Sequence, residues 1–305
     1  MRIQTVLIPT DGSDRSTAAA RRGFDLAAAL DASVHVISVA DSSLATGAGY
    51  GGDSPSIRKR LRETATERAT SLRDEATQRG IEATAVTREG IPAKEIVTYS
   101  DDEEIDAIII GTAGRGGVAR TVIGSVADNV VRTASIPVIT ITPAATRAER
   151  TGDVNAILLP TDGSEAGTAV AALGVELAVQ LNASVHFLSV IDHRRSSALS
   201  RILGTRSTAE DDELRERAVD HLEALASDAR DRGLEAHVRV KDGDPAEEIV
   251  QYADSEALDL IALGTEGLGG FERFLVGSVA TAVIRTAPVP VLTTRPTNGR
   301  EATTD

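Results

Sequence analysis

The sequence has no cysteine, which excludes thiol catalysis, disulfide staples and thiolate metal sites together. Its five histidines are scattered over 305 residues, which leaves little for a metal site. Aromatic residues are scarce, with four Phe, three Tyr and no Trp, so stacking on the bases of a single nucleic acid strand is poorly supplied. Lysine is nearly missing. Lys59, Lys94 and Lys241 are the only ones, in a chain of formal net charge -14. Phosphate backbones are gripped mainly by Lys and Arg, so this deficit argues against nucleic acid as a partner. No apolar run reaches the length of a membrane span. Met1 leads directly into a strand-like stretch, Ile3 to Pro9, without the basic and apolar segments of a secretory leader. A soluble, cytoplasmic protein is expected.

What is present is acidic and rich in arginine, alanine, threonine and valine. Two readings of that composition stand side by side: a source with high internal salt or high GC content, since a strongly acidic surface keeps a protein soluble when charge is screened, or an ordinary acidic cytosolic protein. Unfolding midpoints that rise in molar KCl would distinguish the first.

The dominant feature is an internal repeat. Val6-Leu-Ile-Pro-Thr-Asp-Gly-Ser13 recurs as Ile157-Leu-Leu-Pro-Thr-Asp-Gly-Ser164, an offset of 157 − 6 = 151. Asp31-Ala-Ser-Val-His-Val-Ile-Ser-Val39 recurs as Asn182-Ala-Ser-Val-His-Phe-Leu-Ser-Val190 at the same offset. Gly111 and Gly264 open matching segments at an offset of 264 − 111 = 153, so two residues were gained between Asp192 and Lys241. The chain thus divides into a domain over residues 1–142, a polar linker over 143–153, a second domain over 154–295 and a tail over 296–305.

Within the first copy, β-branched runs at Thr5 to Ile8, Val34 to Val39, Ala83 to Thr87, Ile105 to Ile110 and Pro137 to Ile141 alternate with helical patterns. Continuous apolar strands such as Ile108-Ile-Ile110 are what a parallel sheet covered on both faces requires. The longest helical pattern, Ile57 to Arg79, places Leu61, Ala65, Leu72 and Ala76 near helical spacing. Pro92 follows Gly90 where a first helical turn tolerates proline. Each copy reads as an open, doubly wound, parallel five-stranded α/β sheet in a three-layer αβα arrangement.

In such sheets ligands bind beyond the carboxyl ends of strands, where the strand order reverses. Two segments of each copy fall there. The first is Pro9-Thr10-Asp11-Gly12-Ser13, repeated as Pro160-Thr161-Asp162-Gly163-Ser164. Either Asp11 or Ser13 caps the following helix, or Asp11 faces a ligand and accepts a hydrogen bond from it. The second is Gly111-Thr-Ala-Gly114, nine residues, then Gly124-Ser125. It recurs as Gly264, Gly267, Gly277 and Ser278 while the residues between have changed freely. Glycines let a backbone approach a phosphate closely, and free N–H groups at a helix start, here Gly124 to Val126 and Gly277 to Val279, offer an anion site.

These motifs resemble the universal stress protein family in its ATP-binding branch, marked by Gly-x-x-Gly, nine residues, then Gly-Ser or Gly-Thr. The opening Pro-Thr-Asp-Gly-Ser, the His-Val second strand and the closing Arg-x-Ala-x-x-Pro-Val segment are similar as well, so the likeness spans the whole chain apart from linker and tail. The resemblance implies ATP as ligand, with Mg²⁺ accompanying it. Asp11 and Asp162 would meet adenosine, and the main chain of Val39 and Val190 adenine. Gly111, Gly114, Gly124 and Ser125, with Gly264, Gly267, Gly277 and Ser278, would wrap the phosphates, with Arg115 beside the first loop. Ala127 and Ala280 stand where the family often has a small hydroxyl residue. The resemblance further implies pairing of the two copies through their last strands, Pro137 to Ile141 beside Pro290 to Thr294, as an intrachain pseudo-dimer, with a homodimer of chains as a further step.

Other motifs are decoys. Gly47-Ala-Gly49-Tyr-Gly-Gly52 fits a dinucleotide pattern but lies past its strand in a small-residue loop that has no counterpart in the second copy. No lysine follows a glycine, so there is no Walker loop, and no Gly-x-Ser-x-Gly elbow is present. His35 and His186 fall mid-strand and read as structural. Arg147 to Arg150 reads as solvated linker. The two phosphate loops differ in charge: Gly111 to Ser125 carries Arg115 and Arg120, formally +2, and Gly264 to Ser278 carries Glu266, Glu272 and Arg273, formally −1. The first copy is therefore expected to hold a polyphosphate more tightly. No catalytic constellation is visible, so the expected function is a nucleotide-dependent stress or signalling module rather than an enzyme. The alternatives are a slow ATPase or phosphoryl- or adenylyl-transfer enzyme, and an interaction module with a vestigial pocket.

Overall fold

The computed structural model describes residues 2–42, 55–113, 123–146, 153–192, 208–265 and 276–294. The first copy comprises β1 (Thr5–Pro9), α1 (Asp14–Ala29), β2 (Ser33–Asp41), α2 (Pro55–Gln78), β3 (Ala83–Gly90), α3 (Pro92–Asp102), β4 (Ala107–Gly111), α4 (Ser125–Thr133) and β5 (Val138–Ile141). The second repeats the order as β6 (Ala156–Pro160), α5 (Glu165–Leu181), β7 (Ser184–Ile191), α6 (Thr208–Asp231), β8 (Ala236–Asp242), α7 (Pro245–Ser255), β9 (Leu260–Gly264), α8 (Ser278–Thr286) and β10 (Val291–Thr294). All five expected strands of the first copy form. The proline at position 92 opens α3, where its missing N–H costs nothing.

All strands join one ten-stranded sheet in the order β3-β2-β1-β4-β5-β10-β9-β6-β7-β8. Pairing is parallel within each copy. The single antiparallel pair, β5 with β10, fuses the two halves. The pseudo-dimer through the last strands is thus present, and its register is symmetric: Ile139 faces Leu292, while Thr140 faces Val291 and Thr293 faces Val138. Thr140 Oγ1 donates to the Val291 carbonyl at 3.2 Å, and Thr293 Oγ1 donates to the Val138 carbonyl at 3.2 Å. Both hydroxyls are buried and satisfied, as burial demands.

Alternate residues of each strand serve opposite faces, which produces two cores. Val6, Ile8, Val34, Val36, Ile109 and Ile139 pack with Phe24, Leu26 and Leu72 of α1 and α2. Leu7, Ile37, Ile108 and Ile110 pack with Ile96, Tyr99, Val130 and Val131 of α3 and α4. Each core continues without a break into the second copy, through Leu159 and Phe187 on the first face and Leu158 and Ile261 on the second. Ion pairs tie neighbouring helices across the first face. Arg79 of α2 meets Asp25 of α1 at 3.2 Å, with its guanidinium carbon 5.6 Å from the Phe24 ring centre. At the equivalent places Arg232 pairs with Glu176.

Among the described residues, no helix is long and apolar enough to cross a membrane.

Candidate functional site

Within each copy the chain runs outward from the first strand to the second and third, then returns to the fourth and fifth on the other side of the first. The reversal opens a crevice between the carboxyl ends of β1 and β4, and of β6 and β9, where ligands of such sheets sit. The loop after β1, the overhanging end of β2, the end of β4 and the start of α4 all meet this rim. Pro9 is the last β1 residue in register with β2, opposite Ile37, and β2 continues to Asp41. Val39 therefore lies two residues past β1's last pairing, and Val190 lies equally far past Leu188, the partner of Pro160.

The loop after β1 is held by its own side chains. Thr10 N donates to the Ile37 carbonyl at 2.9 Å, and Gly12 N donates to Thr10 Oγ1 at 3.1 Å. Asp11 Oδ1 accepts from Ser13 N at 2.9 Å and from Ser13 Oγ at 2.6 Å. Ser13 in turn caps α1 by accepting from Ser16 N. Between the two roles open to the aspartate, the structure assigns the cap to Ser13 and makes Asp11 the residue that orients it. Asp162 and Ser164 repeat the arrangement, at 3.1 and 2.6 Å, as Thr161 does with Gly163 N at 3.2 Å. Gly12 has φ +75° and Gly163 φ +79°, a region closed to most side chains.

The helix starts on the opposite side of the crevice are built differently. α1, α5 and α7 are capped by the side chains of Ser13, Ser164 and Asp244. α4 and α8 begin at Gly124 and Gly277, which have no side chain to offer and leave the first turn without a side-chain cap. One sequence expectation needs correction here. The Gly124 amide is not free, because it donates to the Thr112 carbonyl at 2.8 Å, and Gly277 N donates to the Thr265 carbonyl at 2.7 Å. These bonds tie the end of each glycine-motif segment back to the residue after β4 or β9; the amides without an intrahelical acceptor begin one residue later. Asp128 N makes the first intrahelical bond, to the Gly124 carbonyl at 2.9 Å, and Thr281 N does the same with Gly277. The amides of Ser125, Val126 and Ala127, and of Ser278, Val279 and Ala280, precede it and have no intrahelical acceptor. Ala127 and Ala280 are themselves buried in the second core.

Gly111 is a glycine for a reason other than ligand approach. A Cβ built on it lies 2.9 Å from the Cβ of Ala19, so its smallness lets α1 cross the end of β4. Gly264 ends β9 at the same place. Gly114, Arg115, Arg120, Gly267, Glu266, Glu272 and Arg273, together with the Gly47–Gly52 loop and Arg147 to Arg150, lie outside the described residues. His35 and His186 are structural: their Nδ1 atoms sit 2.8 and 3.0 Å from the hydroxyls of Tyr99 and Tyr252. Burial pushes both imidazoles below their ordinary pKa, His237 adding to the effect at His186. Among the described residues, no group of three or more His, Cys, Asp or Glu could hold a metal ion.

The sequence reading missed Arg68. Its Cδ lies only 2.6 Å from the place a Gly12 Cβ would take, so this α2 side chain covers the Asp11–Ser13 turn. Among the described residues, nothing lies within 4 Å of the equivalent point on Gly163. Only an alignment of α2 with α6, where position 68 meets His221, carries a sign of the difference.

The family model described as "Universal stress protein family" matches residues 2–142 and again 154–295. A universal stress protein of Methanocaldococcus jannaschii is 35% identical over 136 residues, covering 45% of this chain and 80% of its own. One of Mycobacterium tuberculosis is 30% identical over 218 residues, covering 67% of this chain and 66% of its own. The crystal structure of a universal stress protein from Archaeoglobus fulgidus superposes with a TM-score of 0.71 at 20% identity, over 95% of this chain and 96% of that one.

Proposed function

The chain belongs to the universal stress protein family, and from that premise we propose that it is a nucleotide-dependent stress or signalling module whose two crevices bind adenine nucleotide, with ATP as the expected ligand. The observation that carries this reading is the pair of uncapped helix starts at Gly124 and Gly277. Three amides without an intrahelical acceptor and the positive end of a helix dipole lie there at the switch point of each half-sheet, the arrangement that accepts phosphate oxygens. Serine or aspartate caps serve α1, α5 and α7, and α3 lacks one at Ile91; what distinguishes Gly124 and Gly277 is their place at the switch point of each half-sheet.

The remaining parts fall into place around a nucleotide lying across the rim. In this reading Asp11 and Asp162 meet the adenosine, and the overhanging main chain at Val39 and Val190 meets the purine edge. Pro9, Thr10, Pro160 and Thr161 set the angle of the aspartate loop. Gly111, Gly114 and Arg115, with Gly264 and Gly267, border the phosphates. Mg²⁺ arrives with the nucleotide and is held largely by its phosphates, which supply the negative charge.

The proposed output is occupancy rather than turnover: the rim carboxylates Asp11 and Asp162 are engaged with the cap serines Ser13 and Ser164. Calorimetric titration of ATP with magnesium tests the reading: two sites per chain are expected, and Gly124→Val should weaken one by about tenfold or more. The N-cap angles of Gly124, φ −63° and ψ 145°, are open to valine, but a Cβ at the equivalent Gly277 lies 3.3 Å from the Thr265 carbonyl oxygen, so the variant's circular dichroism is compared with that of the parent chain. No heat with any adenine compound up to millimolar concentration would sink the proposal. Hydrolysis faster than about 1 s⁻¹ would replace it with the enzymatic alternative.

A further inference from the structure

The two crevices are copies in backbone but not in charge. α2 and α6 align residue for residue at an offset of 208 − 55 = 153. Arg58-Lys-Arg-Leu-Arg62 at the start of α2 is formally +4, and its equivalent, Asp211-Asp-Glu-Leu-Arg215, is formally −2. In the first turns, Arg58 of α2 opposes the helix dipole, whereas Asp211 of α6 complements it. The basic start of α2 thus works against its own helix. Its position is at the ligand rim: Arg58 reaches Glu89 at 3.7 Å near the end of β3, and Ser42 N bonds the Gly90 carbonyl where β2 ends. A surface recess lined by Lys59, Arg62, Glu63, Thr66 and Glu67 lies on the turns that lead to Arg68.

Arg68 continues the same difference into the crevice. Its side chain lies against Gly12, with Nε 2.7 Å from the position of an added Cβ. His221, at the equivalent place, instead has Nε2 3.5 Å from Thr168 Oγ1, and among the described residues nothing lies within 4 Å of a Cβ built on Gly163. A guanidinium is always charged and offers a planar fork of donors; an imidazole is shorter and need not be charged. The phosphate-loop segments differ in the same sense, +2 against −1. On α4 the acidic residue of the first turn, Asp128, is held by Arg132 at 2.9 Å.

We infer that the two copies sort adenine compounds by charge: the first takes the polyphosphate, and the second takes a nucleoside or monophosphate, with Arg68 and His221 as the positions that set the difference. The inference rests on the nucleotide-binding reading above and adds to it a division of labour. One chain then reads two ligands of opposite energetic meaning, a charged phosphate donor and its spent form, across one continuous sheet.

The test is calorimetry on the full chain with adenosine, AMP, ADP and ATP at one pH and ionic strength, each copy read in turn with the other weakened by Gly277→Val or Gly124→Val. In the first copy ATP should bind at least about tenfold more tightly than AMP; in the second the ratio should be near one or inverted. Arg68→His should reduce the first ratio and His221→Arg should raise the second. Both exchanges are also read in the otherwise unaltered chain by the stoichiometry of ATP and AMP binding, should a valine variant fail to fold. Equal ratios in the two copies, or ratios indifferent to the exchanges, overturn the sorting while leaving nucleotide binding intact. Heat with none of the four compounds overturns nucleotide binding and the sorting with it.

Discussion

Arg22 is only 8% exposed on α1, and its Nη1 makes no hydrogen bond. Its nearest carboxylate, Asp25, is 3.7 Å away and already engaged by Arg79 at 3.2 Å. The second copy has Leu173 at this position, packed against the same core. A buried charge with poor pairing contributes less than an apolar side chain of similar volume. Arg22→Leu is therefore expected to raise stability by about 1 kcal/mol, read as a higher denaturation midpoint; an unchanged or lower midpoint would show that the guanidinium is better satisfied than its geometry indicates. The histidines give a second residue-scale expectation. Burial lowers the pKa of His35 and His186, so between those lowered values and about 6.5 the unfolded chain binds more protons than the folded one. Stability that these imidazoles contribute in neutral form is present above that window and is lost as pH falls into it. The thermal midpoint should decline on acidification below about pH 6.5, and less steeply in a His35→Gln, His186→Gln double variant. Parallel profiles for the two proteins would assign the decline to carboxylates such as Glu75, whose pKa Arg21 and Arg79 lower.

At the scale of elements, α3 and α7 are a natural comparison of caps. Asp244 caps α7 by accepting from Ala246 N and Glu247 N at 3.0 and 3.2 Å. Ile91 occupies the same position on α3 at nearly the same backbone angles, φ −84° and ψ 118° against −76° and 121°, and gives no side-chain cap. It is also 61% exposed, so it adds little by burial. Ile91→Asp should stabilise the first half by about 1 kcal/mol, seen as slower amide exchange along α3; unchanged exchange would mean that solvent already serves those amides. Elements of this kind were legible because their signals are local: Pro92 announces α3, and runs such as Ile108-Ile-Ile110 announce buried parallel strands. What was not legible depends on contact across the sequence. The extension of β3 through Arg88 and Glu89 has no apolar signal, because β3 is an edge strand whose register comes from β2. The same holds in the crevice. Its aspartates, its glycines and the anion-ready helix starts follow from motif and spacing, whereas the Gly124 N bond to Thr112 and the cover that Arg68 places on Gly12 arise only when distant segments meet.

The whole molecule turns on one symmetric seam. At an offset of 291 − 138 = 292 − 139 = 153, the β5–β10 register pairs each residue with the other copy's equivalent mirrored about Ile139 and Leu292. The threonine hydroxyl bonds obey the same symmetry, since Thr140 reaches Val291 and Thr293 reaches Val138. Other contacts break it: Gln180 bonds the Ile3 main chain at 2.9 and 2.7 Å and the Leu30 carbonyl at 3.0 Å, and its counterpart in the first copy is Ala29. The symmetric part is self-complementary, so each half carries both sides of the seam, as an isologous interface requires. Residues 1–146 expressed alone should therefore pair β5 with β5 of a second copy, since an unpaired apolar edge with Ile139 and Ile141 exposed is the less stable alternative. Sedimentation at micromolar concentration should find a dimer. A folded monomer from the unaltered half would show that the seam depends on the Gln180 clasp and the continuous cores rather than on strand pairing, and that the covalent linker creates the ten-stranded sheet rather than merely making it permanent.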